Sequence, residues 1–122
     1  MIEPGAQRGS VSVVAAGAIC VALICTMGVA DVGRVLAERS HAEAAADAAA
    51  LAAAQDLALS SGDPEVDAAH FAQENGTVLI DCACAAGDAD AVVTVRRTIA
   101  GLLLVPGQVS IDARARASVD LP

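Results

Sequence analysis

Residues 10–30 read SVSVVAAGAICVALICTMGVA and contain no charged side chain. A helix of about 20 apolar residues is long enough to cross the hydrocarbon core of a bilayer, which is roughly 30 Å thick. Arg8 stands before this run and Asp31 follows it, so charged residues bound both of its ends. The run predicts a transmembrane helix over residues 10–30, preceded by a leader over residues 1–9.

The charges around this span do not by themselves fix its orientation. Arg8 and the α-amino group precede it, Arg34 and Arg39 follow it, and acidic residues count for little in the positive-inside rule. A hydrophobic helix so close to the start of a chain ordinarily carries the following residues across the membrane. We therefore expect a single-pass protein of the cell membrane, with a cytoplasmic N-terminus and an extracytoplasmic C-terminal domain that could also be secreted.

A cleaved signal peptide is the main alternative to a membrane anchor. Gly28-Val29-Ala30 is similar to a small-residue cleavage site, but the apolar region of a signal peptide usually has about 7–15 residues. The run found here is longer, and the helical pattern continues after it without a breaker. Cys20 and Cys25, inside the span, are interpreted as small apolar residues that face lipid or a neighbouring helix.

Residues 31–61 predict an Ala-rich extension of the same helix. Its middle, residues 41–59, reads HAEAAADAAALAAAQDLAL and is dominated by the residue with the highest helix propensity. Small residues at four-residue spacing allow another backbone to approach closely. Two rows have this spacing: Ala44, Ala48 and Ala52, and Ala45, Ala49 and Ala53. We expect a buried Ala face, with a fully solvated poly-Ala helix as the alternative.

Residues 62–122 predict a small α/β domain that begins with a short helix. Gly62 ends the long helix, and Asp63 followed by Pro64 provides an N-cap and a first helical residue. Asn75-Gly76 closes this second helix. Its expected hydrophobic anchor is Phe71, the only aromatic residue of the chain.

After the second helix, the hydrophobic pattern changes to a period of two, which indicates strands. Three alternating sets are present: Val78, Ile80, Cys82 and Cys84; Ala91, Val93 and Val95; and the odd positions of residues 109–119. Gly87-Asp88 predicts a turn between the first two, and residues 98–105 predict a short helix or an apolar loop. The fold class is therefore α+β, with the long N-terminal helix packed on a small three-stranded antiparallel sheet.

The net charge of −8 and the absence of Lys argue against binding to nucleic acid, because such binding depends on basic residues that neutralise phosphates. His41 and His70 are the only near-neutral bases, and both are interpreted as solvated surface residues. We expect no enzyme activity, no cofactor and no small-molecule substrate. Cys82 and Cys84 are interpreted as small buried residues or as a disulfide within or between chains. A metal site is the weakest interpretation, because no second pair of ligands lies outside the span.

This organisation resembles the actinobacterial TadE-like proteins, which are small pseudopilins of tight-adherence (Flp-type) pilus assembly and secretion loci. The likeness rests on Arg8-Gly9-Ser10 at the end of the leader, the apolar helix, the stretch AEAAADAAALAAAQDLAL and a β domain that ends in alternating Ala and Arg. The resemblance implies a pilin-like fold and cleavage between Gly9 and Ser10 by a prepilin peptidase. It also implies an acidic fifth residue in the mature chain. Val14 stands at that position, which leaves cleavage open.

The leading hypothesis is a minor pilin-like structural or assembly subunit of a tight-adherence pilus or related secretion apparatus. Its partners would be the membrane and other pilus or secretion subunits, contacted through small residues of the span such as Ala15 and Gly17 and through Ala44, Ala48 and Ala52. The alternatives are a small binding domain secreted after cleavage by signal peptidase and a membrane accessory subunit.

Overall fold

The computed structural model describes the backbone of residues 4–120 and the side chains of residues 9–120. It contains two helices, α1 (Pro4–Leu59) and α2 (Pro64–Glu74). Three strands follow, β1 (Val78–Ala83), β2 (Asp90–Ala100) and β3 (Gln108–Ser118). Residues 1–3 of the expected leader lie outside the described part of the chain.

Helix α1 has 56 residues and therefore extends for about 84 Å at 1.5 Å per residue. It joins the apolar run and the Ala-rich extension without a break, which confirms the predicted single long helix. Its C-terminal part contacts α2, β2 and β3, and Gly28 and Asp31 contact the loop after β2. The apolar part before Gly28 projects beyond the folded domain.

The three strands form one antiparallel sheet in the order β1-β2-β3. Val93 and Val95, in the central strand, are fully buried against the Ala face of α1 together with Ala113 and Ala115 of β3. The core thus combines alanines with a few valines, which lets helix and sheet come close together. The predicted α+β fold with a three-stranded antiparallel sheet is confirmed.

Helix α2 has the predicted caps. The Asp63 carboxylate accepts hydrogen bonds from the backbone N–H groups of Glu65 and Val66, and Asn75 is the C-cap. The expected anchor, however, is wrong, because Phe71 is 41% exposed and the buried residues of α2 are Ala68 and Ala72. Ala68 and Ala72 pack with alanines of α1 in one buried cluster, and Phe71 lies outside that cluster.

The prediction for the first strand is wrong in part, because β1 contains a bulge. Leu79 pairs with Val95 and Asp81 pairs with Thr94, so Ile80 is an extra residue in the ladder. A bulge of this kind reverses which side chains face inward. As a result Leu79 packs on the core before the bulge and Cys82 after it, while Ile80 is exposed.

The second strand is longer than the sequence predicted. Thr98, Ile99 and Ala100 pair with Ser110, Val109 and Gln108 of β3, so the first part of residues 98–105 is strand. Only residues 101–107 form a loop, and they connect β2 to β3 at the end of the sheet nearest the apolar half of α1.

Candidate functional site: the long helix and the surfaces beside it

The apolar half of α1 is exposed in the isolated chain, except at Gly28, which is half-buried. Within the described residues, α1 is the one helix long and apolar enough to cross a membrane, and none of its most apolar segment is buried inside the protein. The large side chains left exposed are Val11, Val13, Val14, Ile19, Val21, Leu23, Ile24, Met27 and Val29. Since water is a poor environment for such a surface, this segment fits the hydrocarbon of a bilayer or a bundle of similar helices.

The small residues of the span are exposed as well, on more than one side of the helix. Ala15 and Gly17 are both exposed, and a methyl group added to Gly17 would meet no other atom within 4 Å. Ala18, Ala22 and Thr26 form a further row at four-residue spacing, and the Thr26 hydroxyl is satisfied by donating to the Ala22 carbonyl at 2.8 Å. Among residues 9–120, no side chain from outside the helix therefore packs on Gly17.

Gly9 and Ser10, the expected cleavage point, lie inside α1 rather than in a loop before it. Both residues are exposed, and nothing approaches Gly9 within 4 Å. The folded domain therefore does not cover this peptide bond. Cleavage between these two residues stays a prediction.

The Ala-rich half of α1 divides into two faces. Its own domain covers the row formed by Ala45, Ala49 and Ala53, each of which is fully buried. The other row becomes more buried along the helix, from Ala44, which is exposed, through Ala48, which is half-buried, to Ala52, which is buried. Contact with another subunit through this second row stays a prediction.

A shallow groove lies beside the second row. It is lined by Ala48, Leu51, Ala52 and Gln55 of α1 and by Phe71 of α2. Leu51 is 57% exposed, and Phe71 forms one wall because it is excluded from the α1–α2 contact. The groove was not predicted from the sequence, because Phe71 was expected to be a buried anchor of α2.

Cys82 and Cys84 lie at the end of β1 and are joined by a disulfide bond in this structure. Cys84 is buried against the core and Cys82 is half-buried. Cys20 and Cys25 are free thiols exposed on the apolar half of α1. The disulfide therefore belongs to the folded domain, whereas the free thiols belong to the span.

An ion pair that has no signature in the sequence connects α1 to the sheet. Arg97 lies on the inward face of β2 between Val95 and Ile99, and its guanidinium pairs with the Glu38 carboxylate. The two side chains are only 24% and 22% exposed, respectively. Arg97 Nη1 also donates to the carbonyl of Gly76 at 3.1 Å. The hydrogen bond from Arg97 lowers the pKa of Glu38 below its ordinary value of 4.5.

We expect Glu38→Gln to destabilise the domain at neutral pH and to have little effect in acid. A carboxylate with a lowered pKa stabilises the folded state above its unfolded pKa, and that contribution disappears as the pH falls through the folded pKa. Thermal unfolding of both proteins from pH 7 to pH 3 should show the difference in Tm closing. Glu43→Gln, which breaks the exposed pair with Arg39, is the control and should change Tm little. An equal Tm difference at every pH would mean that Glu38 acts through packing alone.

Two pairs of titratable side chains involve α2. His70 lies 3.2 Å from the Glu74 carboxylate on the exposed side of α2, and its ring meets Phe71 edge to face. Near the end of α1, a hydrogen bond with Asp67 raises the pKa of Asp56. Within residues 9–120, however, no group of three or more His, Cys, Asp or Glu side chains could hold a metal ion. The surfaces that distinguish this chain are apolar ones.

A known protein family matches the helix that carries these surfaces. The sequence model of a family described as putative Flp pilus-assembly TadE/G-like matches residues 9–56, which include the whole apolar span and most of the Ala-rich extension. No curated protein and no solved structure matches the chain. The expected resemblance to TadE-like proteins is thus confirmed: over residues 9–56 the chain is similar to the TadE/G-like family of Flp pilus-assembly proteins.

Proposed function

We propose that this chain is a minor, pilin-like subunit of a tight-adherence pilus or a related secretion apparatus. It is held in the membrane by residues 10–30 and acts by helix-to-helix assembly, without enzyme activity. The observation that carries the proposal is that the family segment contains a helix whose apolar half has no partner within the described chain. A small folded domain at the other end of that helix would then remain outside the lipid.

Assembly through the span fits the physics of helices in lipid. Because lipid tails are as apolar as Leu, no hydrophobic force drives helices together there, and close packing over small residues becomes decisive. Ala15 and Gly17 supply such positions on an exposed surface. Outside the lipid, Ala44 and Ala48 beside Leu51 and Phe71 offer a second apolar surface for a neighbouring subunit.

The native N-terminus tests this proposal against its alternatives. Mass spectrometry of the protein from its own cells should find Ser10 as the first residue if a prepilin peptidase processes it, or the intact start if it stays an uncut anchor. A chain starting at Asp31 would instead indicate a secreted binding domain. That outcome would contradict the proposal, since the span would then be absent from the mature protein.

We further propose that the N-terminus is cytoplasmic and the folded domain extracytoplasmic. After mild reduction of intact cells, a membrane-impermeant thiol reagent should label Cys82 and Cys84. The variant in which both are replaced by Ser is the control, because it retains only Cys20 and Cys25 within the span. Labelling that appears only after lysis would reverse the orientation.

A further inference from the structure

The loop between β2 and β3 presents large apolar side chains to the outside. Residues 101–107 read GLLLVPG, and this segment is called the apolar loop below. Leu103, Leu104 and Val105 are 61%, 48% and 45% exposed. A run of three exposed apolar residues is costly in water and typically marks a functional surface.

The apolar loop lies beside the last turn of the span. A methyl group placed on Gly28 would lie 3.6 Å from Leu104 Cδ1, so this leucine reaches a residue inside the apolar run. Val29 and Val32, on the same part of α1, are 73% and 60% exposed. The loop therefore lies at the same height along the helix as exposed apolar residues at the end of the span.

The backbone of the apolar loop is held on α1 by polar groups. Asp31, the first charged residue after the span, accepts hydrogen bonds from Leu103 N at Oδ1 and from Leu104 N at Oδ2, each at 2.7 Å. Arg34 Nη1 donates to the carbonyl of Gly101 at 3.0 Å. Irregular backbone is tolerated near hydrocarbon only when its polar groups are paired, and these bonds pair three of them.

We propose that the apolar loop inserts into the membrane, on the side where the folded domain lies, as a second attachment beside the span. Lipid is the occupant because the loop lies level with Gly28 and Asp31, where the hydrocarbon ends if residues 10–30 cross it. Attachment at two places would fix the tilt of the domain relative to the bilayer. This inference rests on the proposed membrane anchorage of α1.

Tryptophan fluorescence can test the insertion in the full chain, because the protein contains no Trp and each variant would have one emitter. Leu103→Trp would be reconstituted in vesicles of phosphatidylcholine and phosphatidylglycerol that contain phosphatidylcholine brominated at different depths. We expect a blue-shifted emission that is mostly lost with bromine near the headgroups and less affected by bromine near the bilayer centre. Val105→Trp provides a second reporter if Leu103→Trp disturbs the contact with Asp31.

Two controls separate the possible outcomes. Val21→Trp, in the middle of the span, should be quenched most by bromine near the centre. Leu59→Trp, about 42 Å from Asp31 along α1, should not be quenched. If loop reporters behave like Leu59→Trp while Val21→Trp is quenched, the loop proposal fails and the anchorage stands. A second copy of the chain would instead give a blue shift that is not quenched by bromine and that increases with the protein-to-lipid ratio. That result would overturn insertion into lipid. If Val21→Trp is not quenched either, the anchorage and the loop proposal fail together.

Discussion

Replacing Ala49 with Leu is expected to destabilise the packing of α1 on the sheet by about 1–3 kcal/mol, the usual cost of overfilling a close-packed interface. Ala49 is fully buried and belongs to the same core cluster as Val93, Val95 and Ala115. The larger side chain can be accommodated only if the helix and the sheet move apart. Hydrogen exchange of the β2 amides, followed by mass spectrometry on the full chain in lipid, should then show opening increased by roughly 5- to 150-fold.

Ala44→Leu is the matched control for this change. It lies five residues earlier on the same helix, it is exposed, and Leu and Ala have nearly equal helix propensity. Its effect on β2 exchange should therefore be small. Equal protection of β2 in both variants would mean that the core of this domain does not depend on the close contact between Ala49 and its neighbours.

The single long helix and the three-stranded sheet could be predicted because each depends on a pattern within one segment. The uncharged run at residues 10–30 and the Ala-rich stretch after it both favour helix, and no Pro or Gly separates Arg34 from Leu59. Likewise, strict alternation from Val109 to Val119 fixes the inward face of β3. Local periodicity determines these features, and tertiary contacts do not oppose it.

The errors arise where a tertiary contact decides the outcome. The bulge at Ile80 has no local signature, and it moves Leu79 rather than Ile80 onto the core. Phe71 is the largest apolar residue of α2, yet the close approach of two Ala faces keeps it at the edge. In both cases hydrophobicity alone predicts burial, whereas the geometry of the partner surface determines it.

The surfaces beside the membrane could be predicted only in part for the same reason. The span and its small residues can be predicted from the sequence. In the sequence, however, Asp31 is recognisable only as the charged residue that ends the apolar run. Its two hydrogen bonds to the backbone of Leu103 and Leu104 join residues about 70 positions apart. Arg97 gives a similar case, since its place among inward-facing residues of β2 becomes understandable only once Glu38 is found opposite it.

Replacing Gly17 with Ile is expected to abolish most of the association of this protein with pilus or secretion components. Gly17 is exposed on the apolar half of α1, and a methyl group added there would meet no described atom within 4 Å beyond its own helix backbone, so a partner helix can approach closely. A β-branched side chain at this position would hold that partner away and remove the close packing on which association in lipid depends. Because Ile is more apolar than Gly, insertion into the membrane should not suffer.

The measurement is co-purification or crosslinking with the major pilin and the membrane platform from cells that express either the wild type or the variant. Val14→Ile is the matched control, because it adds apolar volume on the same span where a large side chain already stands. Ala15→Ile tests the opposite side, since Ala15 and Gly17 are about 200° apart around a helix with 3.6 residues per turn. If only Gly17→Ile loses association with these components, the span has one packing face. If Gly17→Ile and Ala15→Ile both lose it, the span is enclosed in a bundle of helices. If the wild type recovers none of these components, or if the soluble part restores function to a deletion strain, assembly through the helix is wrong.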